Sequence, residues 1–322
     1  MARHHRRATL FLPEFAPFTV PSGLLHDAVH KLPDGSTVEF EGDGAHVNVK
    51  AGRSRFRLQV LPASDFPEMP ADGFTHEFKL PGKTLAHVVA TVGFAISTEE
   101  TRYYLNGIHL HHDGTNLAAV ATDGHRLALV KLDAPEGSKD MPGIIVPRRT
   151  VGLLQHFAKC DDDIKIQLST GKIRLTLAEG TTITSRLIDG TFPDYQRVIP
   201  SDGDKSFVLD RTAVSNAIDR VATISTERGR AVKCTFTASE LTLEVTNPDS
   251  GQSEDSVVVD EGSGEDISIG FNHRYCLDVF AAMASKQIRF ELSDPGSPAK
   301  VYPTDTVDGG EPPLFVIMPM RV

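Results

Sequence analysis

Cysteine is scarce in this chain. Cys160, Cys234 and Cys276 are scattered, odd in number and include no CxxC pair, which argues against a disulfide framework and against a zinc site. Long apolar runs are lacking too. No stretch approaches the ~20 apolar residues that a membrane helix needs. The apolar run that follows the basic MARHHRR start is broken by Pro13 and Glu14, a poor secretory segment. The expectation is a cytoplasmic protein with no membrane contact. What is present is ordinary for a soluble globular protein: 322 residues, 40% apolar and 24% charged, enough for two or three domains. A net charge of −10 argues at first against nucleic acid as a partner. An acidic shell can enclose a basic surface, however, so the positions of the 33 Lys and Arg matter more than their sum.

The chain repeats itself. AISTEETRYYLNGIHLHHDGTNLAAVATD, from Ala95, matches TISTERGRAVKCTFTASELTLEVTNPD, from Thr223, with Ile96 and Ile224 standing 128 residues apart. A second unit recurs from Val20, from Val146 and from Phe271. Pro21 and Pro147 are 126 residues apart, Pro147 and Asn272 are 125 apart, and the Phe-Pro turns at Phe66 and Phe192 are again 126 apart. Each unit reads as a helix followed by strands. Leu85, Val88, Val89, Val92 and Ile96 fall at helical spacing, as do Val214, Ala217, Ile218 and Val221. Phe56/Leu58/Val60, Ile164/Ile166/Leu168, Ile173/Leu175/Leu177 and Ile288/Phe290/Leu292 alternate as half-buried strands do. The fold class is α+β, in tandem domains of two βαβββ-like halves, A and B. The chain reads B, A-B, A-B, with boundaries expected at 1–72, 73–200 and 201–322. One A half is missing at the front, where only residues 1 to 19 stand.

Several segments resemble chemical equipment. In DGHR, His125 oriented by Asp123 would make a base, but no Ser or Cys nucleophile motif accompanies it. The plainer reading is an Asp-Gly turn between two strands. His109 and His111 share one side of a strand, with no third ligand at zinc-like spacing, so a strand face is expected. The ISTE repeats lack phosphate-loop glycines and read as structural, with Ser and Thr capping a helix end. Asp161 to Asp163 read as a solvated turn, and MARHHRR as a disordered start.

Five segments in order carry a resemblance: RYYLNG (102–107), ATDGHRLAL (121–129), IIVPRR (144–149), LIDGTFPDYQRVIP (187–200) and VIMPMRV (316–322). From about Phe18 to the end the sequence resembles the bacterial DNA polymerase III beta subunit, the sliding-clamp family. The resemblance implies tandem clamp domains with helices lining a ring and sheets outside, and a head-to-tail homodimer around double-stranded DNA. It implies a processivity factor, a non-catalytic subunit of the DNA polymerase III holoenzyme with no cofactor. The expected partners are the polymerase, clamp-loader subunits and other clamp-motif peptides. Carried over, a partner-peptide groove comprises Leu105, Thr122, Gly124, His125, Arg126, Leu127, Pro193, Arg197, Val198, Met318, Pro319, Met320, Arg321 and Val322. Arg102, Tyr103, Tyr104, Arg148, Arg149, Arg230 and Asn272 match DNA-contacting positions. Phe56 and Leu58 would meet Thr223 and Ile224 of a second copy.

The sequence also departs from the family. Glu99 and Glu100 lie in a loop that in clamps often approaches DNA, and Ala86 and His87 stand where Lys or Arg are common. Gly296 replaces an aliphatic groove residue, and Thr223 is polar where an apolar contact is usual. The missing A half fits a wrongly chosen start codon, an extra or decayed gene copy, or a working shortened clamp. Two functions therefore stand open: a clamp that encircles DNA, and a shortened relative that binds peptide motifs without encircling it.

Overall fold

The computed structural model describes residues 18–66, 73–158, 160–178, 180–201, 203–226, 230–305 and 311–322. The MARHHRR segment lies outside them. The chain divides into two compact units, residues 1–71 and 72–322.

In the first unit Pro21, with φ fixed near −57°, starts helix α1 (Ser22–His30). An antiparallel sheet follows, in the order Glu39–Gly42, His46–Ala51, Ser54–Gln59. Asp43 closes its first turn by accepting N–H bonds from Ala45 and His46. Val47, Val49 and Leu58 form the buried centre, with Leu25, Phe40 and Phe56 packed against them. Strand Ser54–Gln59 ends this sheet, so its outer backbone groups have no ladder partner within it.

In the second unit, four helices each follow a strand directly: α2 (Gly82–Val92), α3 (Arg148–Phe157), α4 (Arg211–Val221) and α5 (His273–Ala281). Pro81 and Pro147 hold the cap position of α2 and α3. Asp210 and Asn272 cap α4 and α5 with their side chains, accepting from Ala213 N at 2.9 Å and Arg274 N at 3.0 Å. From α1 to α5 the helices begin at residues 22, 82, 148, 211 and 273, close to the half-domain period of the sequence. Helix α2 stops at Val92 and a 3-10 turn replaces its continuation, yet Ile96 is buried as its spacing requires.

Each half of the second unit is one strand, one helix and three strands, and the halves exchange their first strands. Strand Ile144–Pro147 opens a B half but pairs with the A-half strands Gly107–His112, Asn116–Thr122 and Arg126–Asp133. Strand His76–Pro81 opens the A half and pairs with the B-half strands Asp163–Leu168, Lys172–Thr176 and Thr182–Arg186. Residues beyond 200 repeat this order. Ile267–Asn272 joins Ala231–Phe236, Glu240–Asn247 and Gly251–Val258, while Lys205–Asp210 joins Gln287–Leu292, Ala299–Pro303 and Leu314–Ile317. A short strand, Glu261–Ser263, is the one addition among the described residues.

The two copies are welded edge to edge. Leu314–Ile317 pairs antiparallel with Arg126–Leu129, so a nine-stranded sheet runs through both. One apolar cluster fills the space between sheets and helices. Its early part is aliphatic, with Ile164, Ile166, Leu168, Ile173 and Leu175. Its late part is a cage of Phe207, Phe236, Phe271, Phe280 and Phe290, with ring centroids 5.0–6.5 Å apart. Cys234 and Cys276 lie inside as buried thiols, and burial pushes Cys276 up to about 12. Asp161 holds Lys83 in an ion pair and Asp163 already begins a strand, so the acidic run is a short turn.

Helix α2 starts against the end of α3, and Gly82 lets it. A Cβ there would lie 2.5 Å from Cys160 Sγ, 2.7 Å from the Cys160 carbonyl oxygen and 2.8 Å from that of Ala158. Gly82→Ala should therefore destabilise the chain by about 1–3 kcal/mol through overpacking. Gly152→Ala, in the middle of α3 with nothing within 4 Å of the new carbon, should stabilise it by about 0.5–1 kcal/mol. Denaturant unfolding of both variants checks the opposite signs.

Candidate functional site

The DGHR turn joins two neighbouring strands of the nine-stranded sheet. Asp123 Oδ1 accepts the backbone N–H groups of His125 at 2.9 Å and Arg126 at 3.0 Å. Gly124 takes a φ of 88°, which favours glycine. The Thr122 hydroxyl accepts from Gly124 N and donates to the Arg126 carbonyl. Asp123 is thus engaged in the turn and with the Arg126 side chain, while the His125 ring stacks on Tyr275 with centroids 5.8 Å apart. No carboxylate-oriented imidazole results, and the base reading fails on geometry.

The C-terminal segment crosses this turn. Met318 N donates to the His125 carbonyl at 2.9 Å, and Met320 N donates to the Gly270 carbonyl at 2.8 Å. A Cβ at residue 270 would strike the Met320 carbonyl and Val322, so the glycine admits the tail. His125, Met320, Arg321 and Val322 are exposed, and Met318 and Pro319 are half-buried. The 3-10 turn Tyr195–Val198 and its approach present Pro193, Arg197 and Val198 to solvent, and Arg197 is tied to Asp194 at 3.0 Å.

Leu105, Thr122 and Leu127 are expected in the groove from the sequence, but they are buried. Leu105 and Leu127 belong to a second apolar cluster with Phe192 and Tyr195, and the Thr122 hydroxyl is engaged inside the DGHR turn. They support the surface rather than forming it.

Arg126 also differs from expectation. The resemblance places it on the groove surface, yet only 11% of its side chain is exposed. Nε bonds Asp123 at 3.1 Å, Nη2 bonds the Phe94 carbonyl at 3.1 Å, and Nη1 meets Asp278 on α5. The guanidinium lies between the rings of Phe94 and Tyr275, at 5.1 and 4.7 Å. It rivets the first copy of the fold to the second. Tyr275 and Asp278 escape a reading of the sequence. They sit at i and i+3 on α5, but their partner is 152 residues away from Asp278, and no local pattern marks such a contact.

The expected DNA-facing residues separate into two groups. Arg148 and Arg149 are exposed at the start of α3, Tyr103 is 52% exposed, and Tyr104 is half-buried against it. Arg230 is half-buried, with its carbonyl accepting from His273 N. Asn272 is only 5% exposed and its side-chain oxygen caps α5, so helix capping displaces the DNA-contact role. Arg102 is held in a bidentate pair by Glu99. Of the expected interface residues, Leu58 is 6% exposed and belongs to its own core. Phe56 is half-buried against that core, Ile224 is half-buried with its carbonyl accepting from Asn247, and Thr223 is exposed. Ser97 accepts from Glu99 N as a local turn rather than as a helix cap, and Gly296 sits in a turn closed by Asp294.

Comparison with known proteins places this arrangement. Family profiles described as the N-terminal, central and C-terminal domains of the DNA polymerase III beta subunit match residues 13–70, 79–194 and 196–321. The beta sliding clamp of Caulobacter vibrioides is 45% identical over 311 residues, covering 94% of this chain and 82% of the relative. That of Escherichia coli K12 is 33% identical over 305 residues, covering 94% and 81%. Among solved structures, a DnaN sliding clamp from Bartonella birtlesii bound to griselimycin has a TM-score of 0.90 at 46% identity, covering 98% and 85%. A Caulobacter crescentus beta sliding clamp has a TM-score of 0.87 at 44% identity, covering 95% of this chain and 81% of that one.

Below the exposed wall, two histidines titrate. His109 and His111 stack at 4.5 Å, His109 stacks on Phe192 at 4.7 Å, and Tyr195 Oη lies 3.2 Å from His111 Nε2. Through Phe192 and Tyr195 this pair anchors the wall segment. Burial, aided by the neighbouring His111, lowers His109 to about 4, and burial lowers His111 as well. An unfolded His, near 6.5, binds protons more readily than folded His109 does. Stability should be full above pH 6.5 and fall as pH drops towards 4, with His109 contributing roughly 3 kcal/mol of that loss. The difference in unfolding free energy between wild type and His109→Asn, followed across this window, should shrink as the pH falls.

Proposed function

The chain belongs to the DNA polymerase III beta subunit family of sliding clamps, and on that premise we propose how it closes, docks partners and meets DNA. It consists of one half-domain and two full domains, bounded at 72/73 and 200/201. Two copies close head-to-tail around duplex DNA and tether the replicative polymerase, with no reaction of their own. The observation that carries this reading is the junction rule inside the chain. The last strand of one domain's A half, Arg126–Asp133, pairs with the last strand of the following domain's B half, Leu314–Ile317.

The same rule pairs Gly251–Val258, the last strand of the second A half, with Ser54–Gln59 of another copy. Both strands end their sheets, which leaves each ladder open on one side. The first exposes Val258 at 72% and Glu254, while the second exposes Arg55. Opposite charges steer the two edges together. Phe56, Thr223 and Ile224 flank this junction, and Leu58 supports it from behind. Nothing in the structure favours the alternative of a peptide-binding module without DNA.

Of the expected DNA-facing residues, Arg148, Arg149 and Tyr103 are exposed and suited to phosphate contact. Weak, non-specific and salt-dependent contacts suit a protein that must slide. The docking groove is formed by His125, Pro193, Arg197, Val198 and the tail Met318–Val322. Methionine and proline give an adaptable apolar surface, and the fixed backbone polar groups orient an extended peptide. Its partners are short segments of the polymerase, of clamp-loader subunits and of other clamp-binding proteins.

A fluorescein-labelled peptide with a Gln followed by apolar and aromatic residues tests the groove by anisotropy. Deleting residues 318–322 should weaken its binding at least about tenfold. The same deletion should lower stability by only about 1–3 kcal/mol, the worth of two backbone hydrogen bonds. Arg126→Ala should both weaken binding and lower stability by about 1–3 kcal/mol, because Asp123 and the Phe94 carbonyl lose a largely buried partner. Peptide affinity untouched by the deletion would place the docking site elsewhere.

A further inference from the structure

Glu99 grips Arg102 with two hydrogen bonds, Nε to Oε2 at 2.8 Å and Nη2 to Oε1 at 2.6 Å. The Arg102 bond lowers the Glu99 carboxyl below its usual range, with a further contribution from His125. The remaining nitrogen, Nη1, lies over the DGHR turn, where a Cβ on Gly124 would sit 2.5 Å from it. Glycine at 124 therefore serves two ends: it takes the positive φ, and it leaves room for the guanidinium. Arg102 is wedged between the loop that presents Tyr103 and the turn that presents His125.

The charges around it alternate. Glu99 pairs with Arg102, Asp123 lies within electrostatic reach of Arg102 and bonds Arg126, and Arg126 bonds Asp278. Two arginines thus meet three carboxylates, and Arg102 brings no surplus charge to the surface. A planar guanidinium offers a phosphate the same two-pronged geometry that it offers a carboxylate. About a third of the Arg102 side chain, 32%, is open to solvent, so an anion can reach it.

We propose that Glu99 is an internal competitor for the DNA phosphate. It holds Arg102 in the wall of the docking groove and withholds that cation from the duplex. The groove and the DNA surface therefore share one guanidinium, and Glu99 sets its division between them. The proposal rests on the clamp reading above, since it needs both surfaces. It makes Glu99 a positioning residue that acts through Arg102.

The experiment measures equilibrium binding of the full chain to a short fluorescein-labelled primed duplex, over about 50 to 200 mM salt. Glu99→Gln should steepen the slope of log affinity against log salt by about 0.9, the increment for one more neutralised phosphate. The same variant should bind the labelled groove peptide a few-fold more weakly. Adding Arg102→Gln should return the slope to the wild-type value or below it. Glu100→Gln removes an identical charge from the next residue and leaves the pair intact, so its slope should match wild type.

An unchanged slope in Glu99→Gln overturns the proposal. So does a steeper slope that persists in the double variant or arises equally in Glu100→Gln, because either would mean simple relief of charge repulsion. A wild type with no salt-dependent binding at all overturns the DNA reading and this proposal together. A normal wild-type slope with an unaltered Glu99→Gln slope overturns this proposal alone.

Discussion

Four residues of strand, Leu314 to Ile317 against Leu129 to Arg126, hold the functional surface together. Without that pairing the second unit would be two separate copies of one fold, each with an open edge. With it, the tail that follows Ile317 is delivered onto His125 and then onto Gly270. Arg126 sits at the same junction and reaches α5 through Asp278 and Tyr275. The proposed groove is thus a property of the contact between two domains. A surface made this way needs both folded halves and has no use for an activated side chain.

The titration behaviour agrees with that division of labour. Histidine, the residue that most readily serves acid–base chemistry, is placed here for packing: His109 is held neutral by burial between His111 and Phe192. The cysteines that lie in the core are kept as thiols by desolvation. Arginines, by contrast, are positioned by carboxylates: Arg102 by Glu99, Arg126 by Asp123 and Asp278, Arg197 by Asp194. These charges hold the chain's own turns and helices to one another.

Much of the architecture was legible because it is repeated. The 126-residue offset located the halves, and the alternation Ile164/Ile166/Leu168 and the helical spacing of Val214, Ala217, Ile218 and Val221 each fell on the matching element. The Asp-Gly turn at 123–124 was legible from local chemistry alone. What escaped was long-range. The exchange of first strands between halves leaves no mark on either strand, because Ile144–Pro147 would read alike whichever neighbours it took. Burial of Leu127 and Leu105 depended on Phe192 and Tyr195 folding over them, a contact between distant segments. Asn272 followed the family's pattern but was claimed by the start of α5. Glu99 and Arg102 were each noted in the sequence, but their pairing and the seat on Gly124 required the fold.

The central claim is topological: the chain holds DNA by closing around it. The most direct measurement loads labelled protein onto nicked circular duplex with a clamp-loader ATPase, removes free protein by gel filtration, and then cuts the circle once. Encirclement predicts that the label stays with the circle through the column and is released when the DNA is made linear. Label that remains equally on cut and uncut DNA, or that never associates with the circle, would contradict it.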